Sequence, residues 1–395
     1  MSAAFLSLCL PRSRYLPSKA SKRHGFRCEV APPEHDVSRP VFTPAETNVG
    51  SVSAPVVHRY LSDNSDRFAM WYTYRPRNWK NTPHSPPGTL TGLIGLALSD
   101  DGLSWRRVQG PHEGAVLTQN SEEWWSFDTI HVSVGDVSID SNSKVRADSG
   151  VYFMYYTGGD GEKVAVQGEE MQGIRMRVGL AISKDGEHFS RVEGPYPSGA
   201  VLDVGDEDDF DALLVAGPNV IQMGKEYVMH YFTFDQKQNM FVVGRAFSSD
   251  GMRFEKKGIA VKGSGNAGSF DERGVRQACV VKRGDTYVMF VETVDSISTR
   301  RIAMTESKDC QDWGSLKLVL DVGQAGKWDD AGVSHPNAVV LDNGSVLLYY
   351  VGKSRQHNVD AGRGTCIGVA RSNGTDWTSF SRTVGHDLSL TSRQH

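Results

Sequence analysis

The chain has 395 residues, with 43 Lys or Arg and 47 Asp or Glu, and its formal net charge at pH 7 is −4. This balance lacks the basic excess that nucleic-acid-binding proteins need, so we expect no nucleic-acid partner. No apolar run approaches the roughly 20 residues of a membrane-spanning helix, so no membrane span is expected either.

The first 28 residues differ in composition from the rest of the chain. They contain no Asp or Glu, several Ser and a scatter of Arg and Lys. This composition is typical of a transit peptide, and the ending Phe26-Arg27-Cys28 resembles a chloroplast cleavage site. We therefore predict a transit peptide over residues 1–28, a linker over residues 29–38 and a location in the chloroplast (plastid stroma). A mitochondrial location, a secretory signal and a disordered basic tail are the alternatives.

The cysteines form no recognisable framework. Cys9 and Cys28 fall in or at the end of the basic segment, and Cys279, Cys310 and Cys366 have unrelated spacings. Neither a disulfide pattern nor a zinc motif follows, which fits a reducing compartment. We expect no metal and no other cofactor.

Residues 39–385 repeat one β unit five times. Each copy opens at a frame position, which holds Asn48 in the first copy and Asp in the others, and a Val always follows four residues later. Two apolar segments come next, joined by tight turns such as Asn343-Gly344, which is a strong signal for an antiparallel hairpin. The frame aspartates are Asp128, Asp211, Asp271 and Asp329.

Two further elements complete each unit. A third strand has the form Gly-x-Ala-x-Ser-x-Asp-Gly-x-x-aromatic, as in Gly179–Phe189. A short apolar triplet precedes each frame; Pro40–Phe42 precedes the first frame, whereas the last repeat ends without a triplet. The repeat predicts an all-β, five-bladed β-propeller with four-stranded antiparallel blades, in which an N-terminal strand closes the ring. Residues 386–395 are predicted to form a C-terminal tail.

In such a blade, the first strand begins and the second strand ends at the same mouth of the central channel, and we call this face the funnel mouth. It is the default ligand site. An Asp that recurs in four blades is more often part of the architecture than a catalyst, so residues that break the repeat are the better candidates. Glu292 breaks it, because its counterparts in the three preceding blades are interpreted as Tyr or Phe. The other candidates are His131, Glu272, Arg273, Arg276, Gln277, Asp330 and His335.

The frame W-D-x-x-x-V-x-x-P of Trp328–Pro336, together with the Tyr-rich second strands and the Gly-x-Ala-x-Ser-x-Asp-Gly-x-x-Trp motif, resembles a known superfamily. It is similar to the five-bladed propellers of glycoside hydrolase family 43 and the related families 32, 68 and 130, which include arabinanase-, levansucrase- and invertase-like enzymes. The likeness covers essentially the whole chain after residue 38. It implies a carbohydrate ligand at the central funnel and, if the chain is an enzyme, a glycosidase with one carboxylic acid and a second carboxylate.

The sequence departs from family 43 at the places where that resemblance implies catalytic residues. Ala54 stands where the base Asp is expected, and Gly217 stands where a pKa-tuning Asp is expected. Arg276 occupies the place of the acid Glu. His335, in contrast, matches a channel His of the family. The family's usual machinery therefore does not carry over.

Other acids could form a different catalytic pair, and the candidates are Asp128, Glu272, Asp330 and Glu292. The candidate substrate-binding residues are His131, Asp211, Asp271, Arg273, Arg276, His335, Lys353 and Arg355. The first hypothesis is a plastid glycoside hydrolase-like propeller that acts on a carbohydrate. The alternatives are a non-catalytic carbohydrate-binding or scaffold propeller, and phosphorylase-like chemistry in which the basic residues hold a sugar phosphate. The sugar, its linkage and the oligomeric state stay open.

Overall fold

The computed structural model describes residues 39–43, 49–61, 66–77, 79, 92–109, 114–140, 150–166, 169–358 and 364–383. The predicted transit peptide, linker and C-terminal tail lie outside the described residues, as does Asn48. Within the described ranges, no helix has the length and hydropathy needed to cross a membrane.

Five antiparallel sheets form the blades of a β-propeller, as predicted. Blade 1 contains β1 (Val49–Leu61), β2 (Asp66–Pro76), β3 (Leu93–Ser99), β4 (Arg106–Arg107) and β5 (Ala115–Leu117). Blade 2 contains β6 (His131–Asp140), β7 (Val151–Gly159), the separate hairpin of β8 (Val164–Val166) and β9 (Glu169–Met171), then β10 (Met176–Ser183) and β11 (Ser190–Val192).

The last three blades are more regular. Blade 3 contains β12 (Ala216–Met223), β13 (Glu226–Asp235), β14 (Met240–Ser248) and β15 (Glu255–Lys262). Blade 4 contains β16 (Val275–Arg283), β17 (Thr286–Val294), β18 (Arg300–Ser307) and β19 (Lys317–Leu320). Blade 5 contains β20 (Gly332–Val340), β21 (Val346–Lys353), β22 (Cys366–Ser372) and β23 (Phe380–Arg382).

The N-terminal segment closes the ring on β22. The backbone N–H groups of Val41 and Phe42 donate to the Ile367 carbonyl at 2.9 and 3.1 Å, and the Ile367 N–H donates to the Phe42 carbonyl at 2.9 Å. The Phe42 ring also contacts Tyr72 of blade 1 edge to face, with centroids 4.8 Å apart. The closure is thus confirmed, with one correction: the last repeat does supply a short fourth strand, β23, and the N-terminal segment extends that edge.

Every first strand is interrupted by a β-bulge about six residues after the frame position. Four of the bulge residues have left-handed backbone conformations, namely Ala54 (φ 45°), Gly217 (φ 56°), Gln277 (φ 38°) and His335 (φ 49°). A bulge leaves one residue unpaired and changes the direction of its side chain. The side chains of the bulge residues are therefore the part of each first strand that is available to a ligand site.

Side chains eight residues after the frame position join neighbouring blades. Each accepts a hydrogen bond from a backbone N–H of the next blade, which satisfies a donor that the bulged strand would leave unpaired. These joints are Asp136 to Val220 (2.7 Å), Asn219 to Val280 (2.9 Å), Cys279 to Ala338 (3.3 Å) and Asn337 to Val57 (2.9 Å). They fix the first strands relative to one another and so hold the funnel mouth in shape.

Candidate functional site

In three blades the frame Asp is buried in a triad that we call the frame triad. A tyrosine hydroxyl of the second strand donates to the carboxylate, and a basic residue of the fourth strand pairs with it. The frame triads are Asp128–Tyr156–Arg191 (2.9 and 2.8 Å), Asp211–Tyr231–Lys256 (2.7 and 2.8 Å) and Asp329–Tyr350–Arg382 (3.1 and 2.7 Å). The three aspartates are at most 1% exposed. Each frame triad links the segment before the first strand to the second and fourth strands of its blade, which is a structural role.

A glycine of the third strand lies beneath each of these tyrosines. Tyr156 pairs with Gly179, Tyr231 with Gly244 and Tyr350 with Gly368. A Cβ atom at Gly179 would lie 2.5 Å from Cζ of Tyr156 and 2.4 Å from Cζ of Phe127. Because such contacts are impossible without displacement, packed aromatic rings require the first Gly of the third-strand motif. The rings are Phe127 and Tyr156 at Gly179, Tyr231 at Gly244 and chiefly Trp328 at Gly368.

The acids that follow the frame position in blades 4 and 5 stabilise turns. Glu272 accepts the backbone N–H of Gly268 at 2.7 Å. Asp330 accepts the N–H of Gly326 at 2.8 Å and that of Arg355 at 2.7 Å. Each carboxylate thus bonds the N–H four residues before it. This shared geometry gives both predicted catalytic candidates a local structural function.

Blade 4 departs from the frame triad. Asp271 accepts hydrogen bonds from the hydroxyls of Ser264 and Ser269, both at 2.7 Å, instead of from a tyrosine and a basic residue. The tyrosine and its glycine are replaced by the pair Val291–Ala303. The next residue of the second strand is Glu292. Its counterparts by strand register are Thr73, Thr157, Phe232 and Val351. The interpretation as Tyr or Phe is therefore right for blade 3 and wrong for blades 1 and 2, where a Thr stands.

The threonine counterparts show what this position normally does. Thr73 and Thr157 accept the backbone N–H of the bulge region of the next blade, Val134 at 3.1 Å and Gly217 at 2.9 Å. Glu292 does the same for His335, whose N–H donates to Oε2 at 3.3 Å. Blade 4 therefore keeps the inter-blade joint but makes it with a carboxylate, which also brings a negative charge into the site.

Glu292 is fully buried and surrounded by cations. Its Oε1 lies 3.3 Å from Nε of Arg300 and 3.7 Å from Nη1 of Arg276, and its Oε2 lies 3.5 Å from Nδ1 of His335. Burial by itself would raise the pKa of Glu292, but Arg300, Arg276 and His335 outweigh it and the pKa is lowered. Glu292 is accordingly ionised at neutral pH and has no proton to give to a leaving group.

Arg276 occupies the place at which the family resemblance implies the acid. Its guanidinium carbon lies 4.7 Å from the ring centroids of both Phe232 and Phe241 of blade 3, so the cation stacks against two aromatic faces. The guanidinium is thus fixed between Glu292 and blade 3. The neighbouring bulge residue Gln277 reaches across towards blade 3, where a Cβ atom at Gly217 would lie 2.3 Å from its Oε1.

Positive charge exceeds negative charge around Glu292. Burial, and then the nearby Arg300, lower the pKa of Lys353. Burial lowers the pKa of His335 and of His357 to about 4, so both imidazoles are neutral at pH 7. Arg276 and Arg300 then contact a single carboxylate, and Lys353 adds a third cation near Arg300, because its pairing partner Gly332 packs against Arg300. We call Arg276, Arg300 and Lys353, together with Glu292 and His335, the cationic cluster.

The sequence pointed to every member of the cationic cluster except Arg300. The β17–β18 register places Arg300 opposite Val294, two residues after Glu292. A signal was present, because blade 4 has Arg300-Arg301 where the other third strands lead into their Gly-x-Ala motif. The spatial closeness of Arg300 to Glu292 depends on the hairpin, which the motif does not encode.

Three further predicted site residues make other contacts among the described residues. Arg273 makes backbone bonds to Phe241 and Val294. The side chain of Arg355 is 71% exposed, with Nε 4.0 Å from Asp330. In blade 2, the Nε2–H of the buried His131 donates to the Gly173 carbonyl at 2.8 Å and holds the loop after β9. Burial lowers the pKa of His131 to about 4, which keeps its ring neutral.

Across the ranges that the structure describes, no group of three or more His, Cys, Asp or Glu side chains is placed to hold a metal ion. The acidic frame residues are instead dispersed, one to a blade, in the contacts described above.

Solved structures with the same fold are carbohydrate-related proteins. The complex of BT0996 with RGII matches with a TM-score of 0.58 at 18% identity, over 86% of this protein and 92% of the matched one. An exo-1,5-alpha-L-arabinanase from a bovine ruminal metagenomic library matches with a TM-score of 0.55 at 15% identity, over 86% and 99%. The Bombyx mori GH32 beta-fructofuranosidase BmSUC1 matches with a TM-score of 0.57 at 12% identity, over 88% and 65%.

These similarities confirm the predicted likeness to the glycoside hydrolase propellers at the level of the fold. The identities are 12–18%, so the matches show the fold alone. No protein-family model matches the sequence, and no curated protein matches it.

Proposed function

We propose that the protein binds a carbohydrate at its funnel mouth and does not cleave glycosides by the two-carboxylate mechanism. The observation that carries this proposal is the state of Glu292, which is ionised and paired with Arg276 and Arg300. The shared fold with carbohydrate-related propellers supports the ligand class, and the chemistry of the mouth argues against hydrolysis.

Glycoside hydrolysis needs a protonated acid near the leaving oxygen and a second carboxylate about 5–9.5 Å away. The three places that the family uses hold Ala54, Gly217 and Arg276. The remaining predicted acids are engaged elsewhere, because Asp128 lies in a frame triad while Glu272 and Asp330 stabilise turns. Each of these predicted acids is therefore held in a structural contact and does not form a catalytic pair with Glu292.

Two exposed tryptophans offer a surface for a sugar ring. Trp124 is 89% and Trp125 is 39% exposed, in the loop that leads from the fourth strand of blade 1 to the frame of blade 2. Asn120 holds this loop by accepting the backbone N–H groups of Glu122 and Glu123, each at 3.1 Å. An exposed indole on an ordered loop suits the apolar face of a saccharide, since aromatic side chains supply large contact areas at binding surfaces. We propose that this loop extends the binding surface of the funnel mouth.

A paired measurement tests the proposal. Purified protein would be screened against neutral and acidic mono- and oligosaccharides by thermal shift, and each hit would be incubated with the protein and assayed for released reducing ends. We expect at least one saccharide to raise the melting temperature without being cleaved. A ligand at 100 times its Kd stabilises the native state by about 2.7 kcal/mol, which is readily detected. Cleavage that Glu292→Gln abolishes would contradict the proposal.

We further propose that the protein acts in the plastid. The basis is the composition of residues 1–28, which lack acidic residues and carry Arg, Lys and Ser. A fusion of residues 1–38 to a fluorescent protein should accumulate in chloroplasts of leaf cells. Accumulation in mitochondria would support the alternative location, and a cytosolic signal would contradict both.

A further inference from the structure

We infer that the carbohydrate bound at the funnel mouth is anionic, and that Arg300 and Lys353 bind its carboxylate or phosphate group. This inference rests on the proposed function and names the chemical class of its ligand. It follows from a contrast. Elsewhere in the propeller, cations of the repeated frame pair with carboxylates, whereas the cationic cluster holds more cations than carboxylates.

Elsewhere, partly buried cations of the repeated frame have a carboxylate of their own. Arg191, Lys256 and Arg382 each pair with a frame Asp at 2.7–2.8 Å. Two third-strand arginines are each held between two aspartates: Arg177 by Asp160 and Asp203, and Arg301 by Asp295 and Asp321, all at 2.7–2.8 Å. Such pairing is expected, because an unpaired charge that leaves water is costly.

The cationic cluster breaks this rule at Lys353. Lys353 pairs with Gly332, and a Cβ atom at Gly332 would lie 3.8 Å from Cβ of Arg300, so the two cations start from adjoining strands. The ammonium group of Lys353 makes no hydrogen bond or ion pair with any described residue, although burial and Arg300 both lower the pKa of Lys353. Within the described ranges Glu292 is the one carboxylate that contacts Arg300, with Oε1 3.3 Å from Nε, and the guanidinium of Arg300 forms no hydrogen bond there. A ligand oxyanion beside Arg300 and Lys353 would supply the missing negative charge.

The geometry suits a carboxylate or a phosphate ester. The planar guanidinium of Arg300 presents two free nitrogens as a fork, which matches the paired oxygens of either group. Glu292 faces the guanidinium from the Nε side at 3.3 Å, so a ligand oxyanion would approach the remaining nitrogens. The neutral His335, whose Nδ1 lies 3.5 Å from Glu292, adds an uncharged polar group that suits a sugar hydroxyl.

Isothermal titration of the purified protein tests the inference with matched sugar pairs. The probes are galacturonic acid with galactose, glucose 6-phosphate with glucose, and inorganic phosphate alone. The variants are Arg300→Gln and Lys353→Gln, with Lys184→Gln on the exposed turn after β10 as the control. We expect one acidic sugar to bind at least about tenfold more tightly than its neutral partner, which corresponds to about 1.4 kcal/mol. Both site variants should lose that preference, and the control should keep it.

The outcomes separate the two proposals. Equal affinity for the acidic and neutral members of a pair would overturn the inference and leave carbohydrate binding intact. Binding of inorganic phosphate with no gain from an attached sugar would overturn the inference as well. If no saccharide bound, the proposed function would fall and the inference with it.

A second measurement does not depend on finding the ligand. Without ligand, Lys353→Gln removes a cation that faces Arg300 and has no described partner, so its melting temperature should equal or exceed that of the wild type. A clear fall in melting temperature would show that Lys353 is already compensated, and would overturn the inference.

Discussion

Blades 2 and 4 share the same frame and use it in different ways. In blade 2, Asp128, Tyr156 and Arg191 form a frame triad above Gly179. In blade 4, Asp271 bonds only to serines and the backbone within the described residues, and Glu292 faces Arg276 and Arg300. The comparison teaches that in this propeller the residues that recur maintain the architecture, whereas the residues that interrupt the repeat assemble the site.

The first prediction contrasts the two frame aspartates. Asp128→Ala should lower the free energy of unfolding by about 3–5 kcal/mol, because Arg191 and the buried Tyr156 hydroxyl lose their shared partner. Asp271→Ala should cost only about 1–2 kcal/mol, since serine hydroxyls can turn to water. Urea denaturation of both variants measures the difference. Equal losses in the free energy of unfolding would mean that the frame Asp contributes equally to stability in both blades, which would contradict the comparison.

The second prediction concerns the match between tyrosine and glycine. Gly179→Ala should cost about 2–3 kcal/mol through overpacking against Tyr156 and Phe127. Tyr156→Val, Gly179→Ala would give blade 2 the Val–Ala pair of blade 4, so the double variant should lose at least about 1 kcal/mol less than the two single changes together. Denaturant unfolding of all four proteins completes this cycle.

The control for that cycle is Ala303→Gly in blade 4, which should cost about 1 kcal/mol or less because no ring occupies the space. Strict additivity of the two changes in blade 2 would contradict the idea that the tyrosine ring dictates the glycine.

The third prediction concerns ring closure. Deleting residues 1–28 should leave the melting temperature unchanged, whereas deleting through Phe42 removes three backbone hydrogen bonds and the contact with Tyr72. The longer deletion should lower the free energy of unfolding by about 2–3 kcal/mol. Identical melting temperatures for the two truncations would show that β23 alone closes the ring.

The fourth prediction uses pH on an inter-blade joint. Burial raises the pKa of Asp136 to about 7, although three N–H donors favour its charged form. The native protein therefore binds this proton more tightly than the unfolded chain does. The stability it contributes is complete at pH below about 4 and is lost as the pH rises through 7.

Asp136→Asn removes this dependence and copies Asn219 and Asn337, which hold the equivalent joints. The stability of the variant relative to the wild type should therefore rise by about 2 kcal/mol between pH 5 and pH 7.5, as measured by urea denaturation across that range. Because both proteins keep the buried histidines, the difference isolates Asp136. A constant difference across the range would contradict a raised pKa.

The sequence was sufficient for the blades because each strand carries its own periodic signal and the frame recurs at fixed offsets. It misplaced the counterparts of Glu292 in blades 1 and 2, because the apolar segments of the second strands were aligned by content while the strand register places Thr73 and Thr157 there. It missed Arg300, whose closeness to Glu292 follows from the β17–β18 pairing. The sequence predicted an architectural role for the recurring Asp but did not predict its partners. The tyrosine and the basic residue of each frame triad lie on separate strands, so the repeat alone does not bring them together.

The central claim is that the frame serves the scaffold and the cationic cluster serves the ligand, and two lysines test it most directly. Lys256 pairs with Asp211 at 2.8 Å in a frame triad, whereas Lys353 has no partner among the described residues. Thermal unfolding of Lys256→Gln and Lys353→Gln would be measured with and without the acidic saccharide that binds the wild type. We predict that Lys256→Gln melts lower yet keeps the full ligand-induced rise, whereas Lys353→Gln melts at or above the wild-type temperature and loses that rise. The reverse pattern, or the loss of the rise in both variants, would contradict the claim.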